Sequence, residues 1–216
     1  MKGVQLDTVD ALMAQYAAGM LPEPVHVLVS AHLELRPQQR RKVAAFEAIG
    51  GDMIETAAPV ALNDADAALA RIFASQTQPH CEPAPAMMSD DPLFPAVLRD
   101  FVGFGSKEVP WRRKLPGFKE HMIGKIDGCE VSLFWIRPGR TIPAHTHDGL
   151  EISLVLGGAF HDGRGRFERG DISVADDSVD HRPIAENDAP CIGMAIVDAP
   201  LRFTGPLRQF LGDLIG

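Results

Sequence analysis

Cysteine is scarce in this 216-residue chain, and the three present, Cys81, Cys129 and Cys191, are odd in number and far apart. They form neither a disulfide framework nor a CxxC pair, so reduced thiols in a reducing compartment are expected. Positive charge is also short: 21 Lys and Arg stand against 29 Asp and Glu, a net charge of −8. Gripping nucleic acid by its phosphates needs clustered cations. The one tight cluster, Arg40-Arg41-Lys42, reads as a solvated helix face, so no direct contact with nucleic acid is expected. No apolar run reaches the roughly 18 residues of a membrane-spanning helix. Asp7 and Asp10 fall where a signal peptide would carry its apolar core. Together these absences predict a cytoplasmic protein that does not cross a membrane. What is present is ordinary globular composition, 45% hydrophobic and 23% charged, in a chain long enough to bury a core.

Residues 1–75 carry helical periodicity. Val9, Leu12, Met13, Tyr16 and Ala17 repeat at the spacing of one helical face, and Gly19 closes that run. LPEP at 21–24 starts a second, with Val25, Leu28, Val29, His32 and Leu33 on one side. A third is predicted over about 37–49, with Val43, Phe46 and Ile49 aligned and Gly50-Gly51 ending it. A fourth is predicted over 63–74, with Asn63 as cap and Leu62, Leu69, Ile72 and Phe73 as its stripe. Helices this short cannot hold themselves together and must pack on one another or on a partner. Residues 76–104 then read as a proline-rich seam with a short helix near 93–102.

From about 105 onward the texture changes to short apolar runs, such as 129–136, 151–156 and 189–197, between closely spaced turn signals. That rhythm predicts an all-β sandwich or barrel over 105–216. The fold class expected for the whole is therefore α+β, a short helical domain followed by an all-β one.

The chemistry concentrates in PAHTHDGLE, residues 143–151. Alternation along a strand aims His145 and His147 the same way. Glu151 begins the next run after turn residues, where a hairpin would fold it over both rings, and His181 follows after another strand. Three neutral imidazoles and a carboxylate suit a divalent metal such as zinc, iron, manganese or nickel. A bare HxH pair also arises as two exposed histidines. The longer pattern Gly139-x5-His145-x-His147-x3-Glu151-x6-Gly158 resembles the first signature of the cupins, and Gly170-x10-His181 has the spacing of the second. Asp176, Ser178 and Ala185 replace residues usual in that second motif. The resemblance covers roughly residues 105–203. It implies a double-sheet β-barrel with the metal in its mouth and with His145, His147, Glu151 and His181 as ligands.

Joined to that barrel, residues 10–41 resemble the helical segment of the ChrR-type zinc anti-sigma factors: a YAAG turn, a proline-flanked second helix, then a histidine, a turn and a basic helix. The resemblance implies a helical domain that sequesters an extracytoplasmic-function (ECF) sigma factor and a cupin needed for release. Leu12, Tyr16, Leu28, His32 and Leu33 are the candidates for partner binding, and zinc is the expected cupin metal. The family also carries HxxxCxxC and an upstream histidine in its helical domain. Here His32 keeps the histidine position, Arg36 and Gln39 stand in place of the cysteines, and Asp7 falls near the upstream histidine. A structural zinc site needs its full ligand set, so no zinc is expected in the helical domain.

Two functional classes follow. In the first, the protein is a regulator whose metal site senses an oxidant or small ligand, with Cys191 as a possible redox participant. In the second, it is a metal-dependent cupin enzyme, a dioxygenase or related oxidoreductase, for which His161 and Arg166 could reach the mouth. The leftover apolar helix faces also allow a homodimer.

Overall fold

The computed structural model describes residues 8–61, 63–75 and 91–206. The expected order of helices followed by antiparallel strands is found. Among the described residues, helices α1 (Thr8–Ala17), α2 (Glu23–Leu35), α3 (Arg40–Thr56), α4 (Ala65–Ala74) and α5 (Ala96–Val102) precede eleven strands. Most of the proline-rich stretch, with Cys81, lies outside the described residues, as do Asp7 and Leu62.

Two helix boundaries differ from expectation. α3 runs through Gly50-Gly51 to Thr56, because glycine in a helix costs only about 1 kcal/mol and does not block the backbone. α4 is capped by Asp64 and not Asn63: the Asp64 carboxylate accepts from the Ala67 N–H at 3.0 Å.

The strands form three antiparallel sheets. The largest comprises β1 (Arg112–Leu115), β2 (Phe118–Ile126), β3 (Cys129–Ile136), β10 (Cys191–Val197), β5 (Glu151–Gly157) and β8 (Ile172–Ala175), in that spatial order. β4 (His145–His147) pairs with β11 (Leu201–Phe203), while β7 (Gly165–Glu168), β6 (Ala159–Asp162) and β9 (Ile184–Ala185) form the third sheet. Strand alternation divides the apolar residues into two cores. Phe134, Ile136, Val155, Phe160 and Ala195 belong to the core inside the barrel. Val131, Leu133, Ile152, Leu154 and Met194 face the other way.

That outer face is covered by helices. Leu12, Met13, Leu28, Val29 and Leu33 join its core, with α2 against β5 and β10 and α1 against β8. α5 is tied to α2 at its first turn, where the Glu34 carboxylate accepts from the Ala96 and Val97 N–H groups at 2.9 and 3.1 Å. α4 has no buried residue.

Candidate metal centre

β4 is held on both edges. It pairs with β11 on one side, and on the other His145 and His181 exchange backbone N–H···O bonds of 3.0 Å each way. This bridge brings the two rings together, with centroids 4.4 Å apart and planes tilted by 56°. Alternation brings His147 to the same side as His145. Glu151 arrives from the opposite wall, since β5 belongs to the large sheet and does not pair with β4. The expected β4–β5 hairpin is thus absent, and the carboxylate meets the histidines across the barrel. All four residues offer ligand atoms within 4.8 Å of one another.

Hydrogen bonds on the far side of two rings decide what faces the centre. His145 places Nδ1 2.8 Å from the Pro143 carbonyl, which requires an N–H there. His181 Nδ1 lies 3.3 Å from both Asp162 Oδ2 and Arg164 Nη2. Since Arg164 Nη2 already donates to Asp162 and Ser173 at 2.7 and 2.9 Å, the N–H is assigned to Nδ1, toward the carboxylate. In the neutral rings both Nε2 atoms therefore carry lone pairs, yet they sit 3.0 Å apart. His147 Nε2 and Glu151 Oε2 approach to 2.7 Å, and both atoms are buried without an aligned hydrogen bond. Lone pairs and a carboxylate converging this way suit a shared cation, so the donors fit a divalent metal.

The electrostatics agree. Burial alone would raise the Glu151 carboxyl, but His147 against it, with His181 and His145 nearby, outweighs burial and holds it at about 2. Burial is the first cause that lowers His145, followed by its neighbour His181, which keeps that ring neutral and available as a ligand. Asp162, with no exposed side-chain surface, is pushed up by burial but carried well below the carboxylate range by His181 and Arg164. Arg164 Nη2 contacts Asp162 at 2.7 Å and the Ser173 hydroxyl at 2.9 Å. Asp162 is thus the carboxylate behind a histidine that orients metal ligands in many proteins.

Sequence reasoning missed Asp162 and Arg164 and chose their neighbours in the same turn. His161 is exposed, and Arg166 pairs with Glu186 at 2.6 Å and with Glu168. Within β6, Asp162 shares the parity of the buried Phe160 and His161 does not, but only the β6–β7 register says which parity faces the ligands; Arg164 lies in the turn, where alternation gives no signal. Cys191 is fully buried. Burial pushes its thiol up to about 12, so at neutral pH it is protonated and packs as a small hydrophobe.

Above the ligands lies a cavity of about 400 Å³ whose walls include Phe118, Phe134, Ile136, Ile142 and Phe160. Gly193 shapes it: a Cβ there would lie 2.3 Å from Phe134 Cζ and 2.6 Å from the Leu154 carbonyl oxygen.

His32 and Arg36, aligned with the HxxxCxxC motif of the helical domain, have other partners. His32 is 4% exposed and its Nδ1 lies 2.6 Å from the Gly170 carbonyl. Arg36 Nη2 donates to Glu168 and Asp171 at 3.1 Å each. Gly170 sits at φ +90°, and a Cβ there would come within 2.9 Å of Arg36 Nε. Only glycine lets the turn between β7 and β8 approach α2 so closely. Leu12, Leu28 and Leu33 are buried in the shared core and Tyr16 packs against it, so this arrangement does not present them as a surface.

A barrel of antiparallel strands with three histidines and a glutamate at its mouth, preceded by helices, defines a cupin with a helical extension. Residues 101–197 match the family described as the ChrR cupin-like domain. Over 206 residues the chain is 41% identical to the anti-sigma-E factor ChrR of Cereibacter sphaeroides, covering 95% of this chain and 93% of that protein. A chain of the solved Rhodobacter sphaeroides complex of SigE with the anti-sigma ChrR matches at TM-score 0.72 and 36% identity, over 90% of this chain and 99% of that one. The chain belongs to the ChrR family. Among the described residues no helix is long and apolar enough to cross a membrane.

Proposed function

We propose that this protein is an anti-sigma factor that sequesters an ECF sigma factor in the cytoplasm, and that its cupin metal controls release. Family membership supports the class; one observation carries the interface. Along α3 and α4, Ile49, Met53, Ile54, Leu69, Ile72 and Phe73 are between 50% and 82% exposed. Apolar helix faces left open this way mark an interaction site. The partner surface assigned here is therefore α3–α4, in place of the α1–α2 residues suggested by periodicity. The test is co-expression with ECF sigma factors from the same genome. A stable complex is expected, and the double variant Ile72→Asp/Phe73→Asp should weaken it about a hundredfold. Unchanged affinity removes the α3–α4 surface; no complex with any of these factors removes the function.

We assign zinc to His145, His147, Glu151 and His181, since imidazole nitrogens and a carboxylate oxygen are donor types that zinc takes. Bound zinc would supply a fixed centre whose ligands report on its coordination. A connected route leads from there to the helices. His181 contacts Asp162, Asp162 opens the β6–β7 hairpin, and Glu168 at the hairpin's end holds Arg36 of α2. A change at the ligands would thus act on the grip between barrel and α2. In the helical segment, Arg36 and His32 serve as the staple that zinc provides when a full ligand set is present. The enzyme reading has no comparable support. Asp162 and Arg164, the charged pair beside the ligands, are engaged with each other and with His181.

A further inference from the structure

The cavity above the ligands is large enough to hold a small molecule. Its charge balance is informative. With a divalent metal in place, Glu151 cancels one of two positive charges. Asp162 and Arg164 neutralise each other. At the cavity wall Lys114 and Glu120 do the same, 2.9 Å apart. One positive charge is left facing walls that are mostly aromatic and aliphatic. An uncompensated charge in such surroundings is costly, and a monoanion with an oxygen donor removes the cost by entering a fifth coordination position, which zinc accepts.

The walls specify the rest of the ligand. About 400 Å³ holds roughly a dozen non-hydrogen atoms at ~30 Å³ each, the share of one water. Phe118, Phe134, Ile136, Ile142 and Phe160 offer these atoms no hydrogen-bonding groups, and of the lining serines, Ser132, Ser153 and Ser173, Ser153 already donates to Glu151 and Ser173 already accepts from Arg164. At the rim, Leu201 and Phe203 are 47% and 53% exposed and pair directly with His147 and His145. An apolar edge therefore stands over the ligand histidines. We infer that the cavity binds a medium-chain aliphatic monocarboxylate, its carboxylate on the metal and its chain along the aromatic wall. This rests on the metal-centre reading and names the class of small molecule that the site takes.

The test uses the full chain loaded with cobalt in place of zinc, with metal content measured first. Octanoate is titrated by calorimetry while the cobalt d–d bands are recorded, with butyrate, 1-octanol and octylamine as comparisons. Octanoate should bind at least tenfold more tightly than each of the other three and should shift the bands. Ala195→Leu, which fills the cavity, and Phe203→Asp, which puts a negative charge at the exposed rim, should each lose at least fivefold in octanoate affinity with metal content unchanged. Equal binding of octanoate and octylamine, unmoved bands, or affinity that survives metal removal would overturn the inference. A chain that holds metal but ignores octanoate sinks this inference alone. A chain that holds no metal sinks the metal-centre reading with it.

Discussion

Two histidines of this chain are almost equally buried, His32 in α2 at 4% exposure and His147 in β4 at 2%, and their surroundings make them different objects. His147 meets two more imidazoles and a carboxylate within 4.8 Å. His32 meets a backbone carbonyl, with the Arg36 guanidinium alongside. A ligand site is thus a property of convergence rather than of histidine. Where a chain has replaced the neighbouring ligands, the same place can serve another purpose. At α2 the replacement is a clamp between helix and barrel, built from one buried hydrogen bond and two ion pairs.

The comparison breaks most sharply at the barrel. His147→Ala should lower metal affinity at least about a hundredfold while the far-ultraviolet spectrum of the helices persists. Full metal occupancy in that variant would show the ligand assignment to be wrong. Asp162→Asn keeps all four ligands and removes only the carboxylate behind His181. It should weaken metal binding by about 10–100-fold, seen in competition with a chelator, and an unchanged constant would remove the orienting role.

At α2 the effects are smaller and involve no metal. Arg36→Ala should destabilise the protein by ~1–2 kcal/mol, since its ion pairs are partly exposed and screened while its stem still packs. Denaturant unfolding measures this, with metal content unchanged; a variant as stable as the parent would dissolve the clamp. The smallest effect is one of pH. Burial lowers His32 below its ordinary value of 6.5, with Arg36 and Lys42 adding to this and Gly170 and Asp171 opposing it. The unfolded chain then takes up this proton first as pH falls. The contribution of His32 is full above 6.5 and is lost as pH drops from there through the folded value. Hydrogen exchange of α2 should quicken below 6.5 in the parent and less so in His32→Gln. Identical pH profiles would exclude His32 as the cause.

Legibility in the sequence followed the range of the interactions. The ligand spacing from Gly139 to Gly158 was readable because each position acts through its own strand or turn. The strands at 129–136 and 151–156 were readable for the same reason. The β4–β5 relation was not, because whether Glu151 reaches His147 by a hairpin or across the barrel depends on which sheet each strand joins. Asp162 was hidden by a single step of parity. The α1–α2 stripe was correctly apolar, but its periodicity cannot say whether barrel or partner covers it.

The amino-acid sequence by itself determined the helical-then-β order, the ligand quartet as a candidate, and the loss of cysteines opposite His32. These are matters of residue type and local spacing. Only the tertiary structure decided that α2 is clamped to the turn between β7 and β8, that Asp162 backs His181, and that the open apolar face belongs to α3 and α4. Each of these depends on which surfaces meet, and that is settled by the burial of long-range faces against one another.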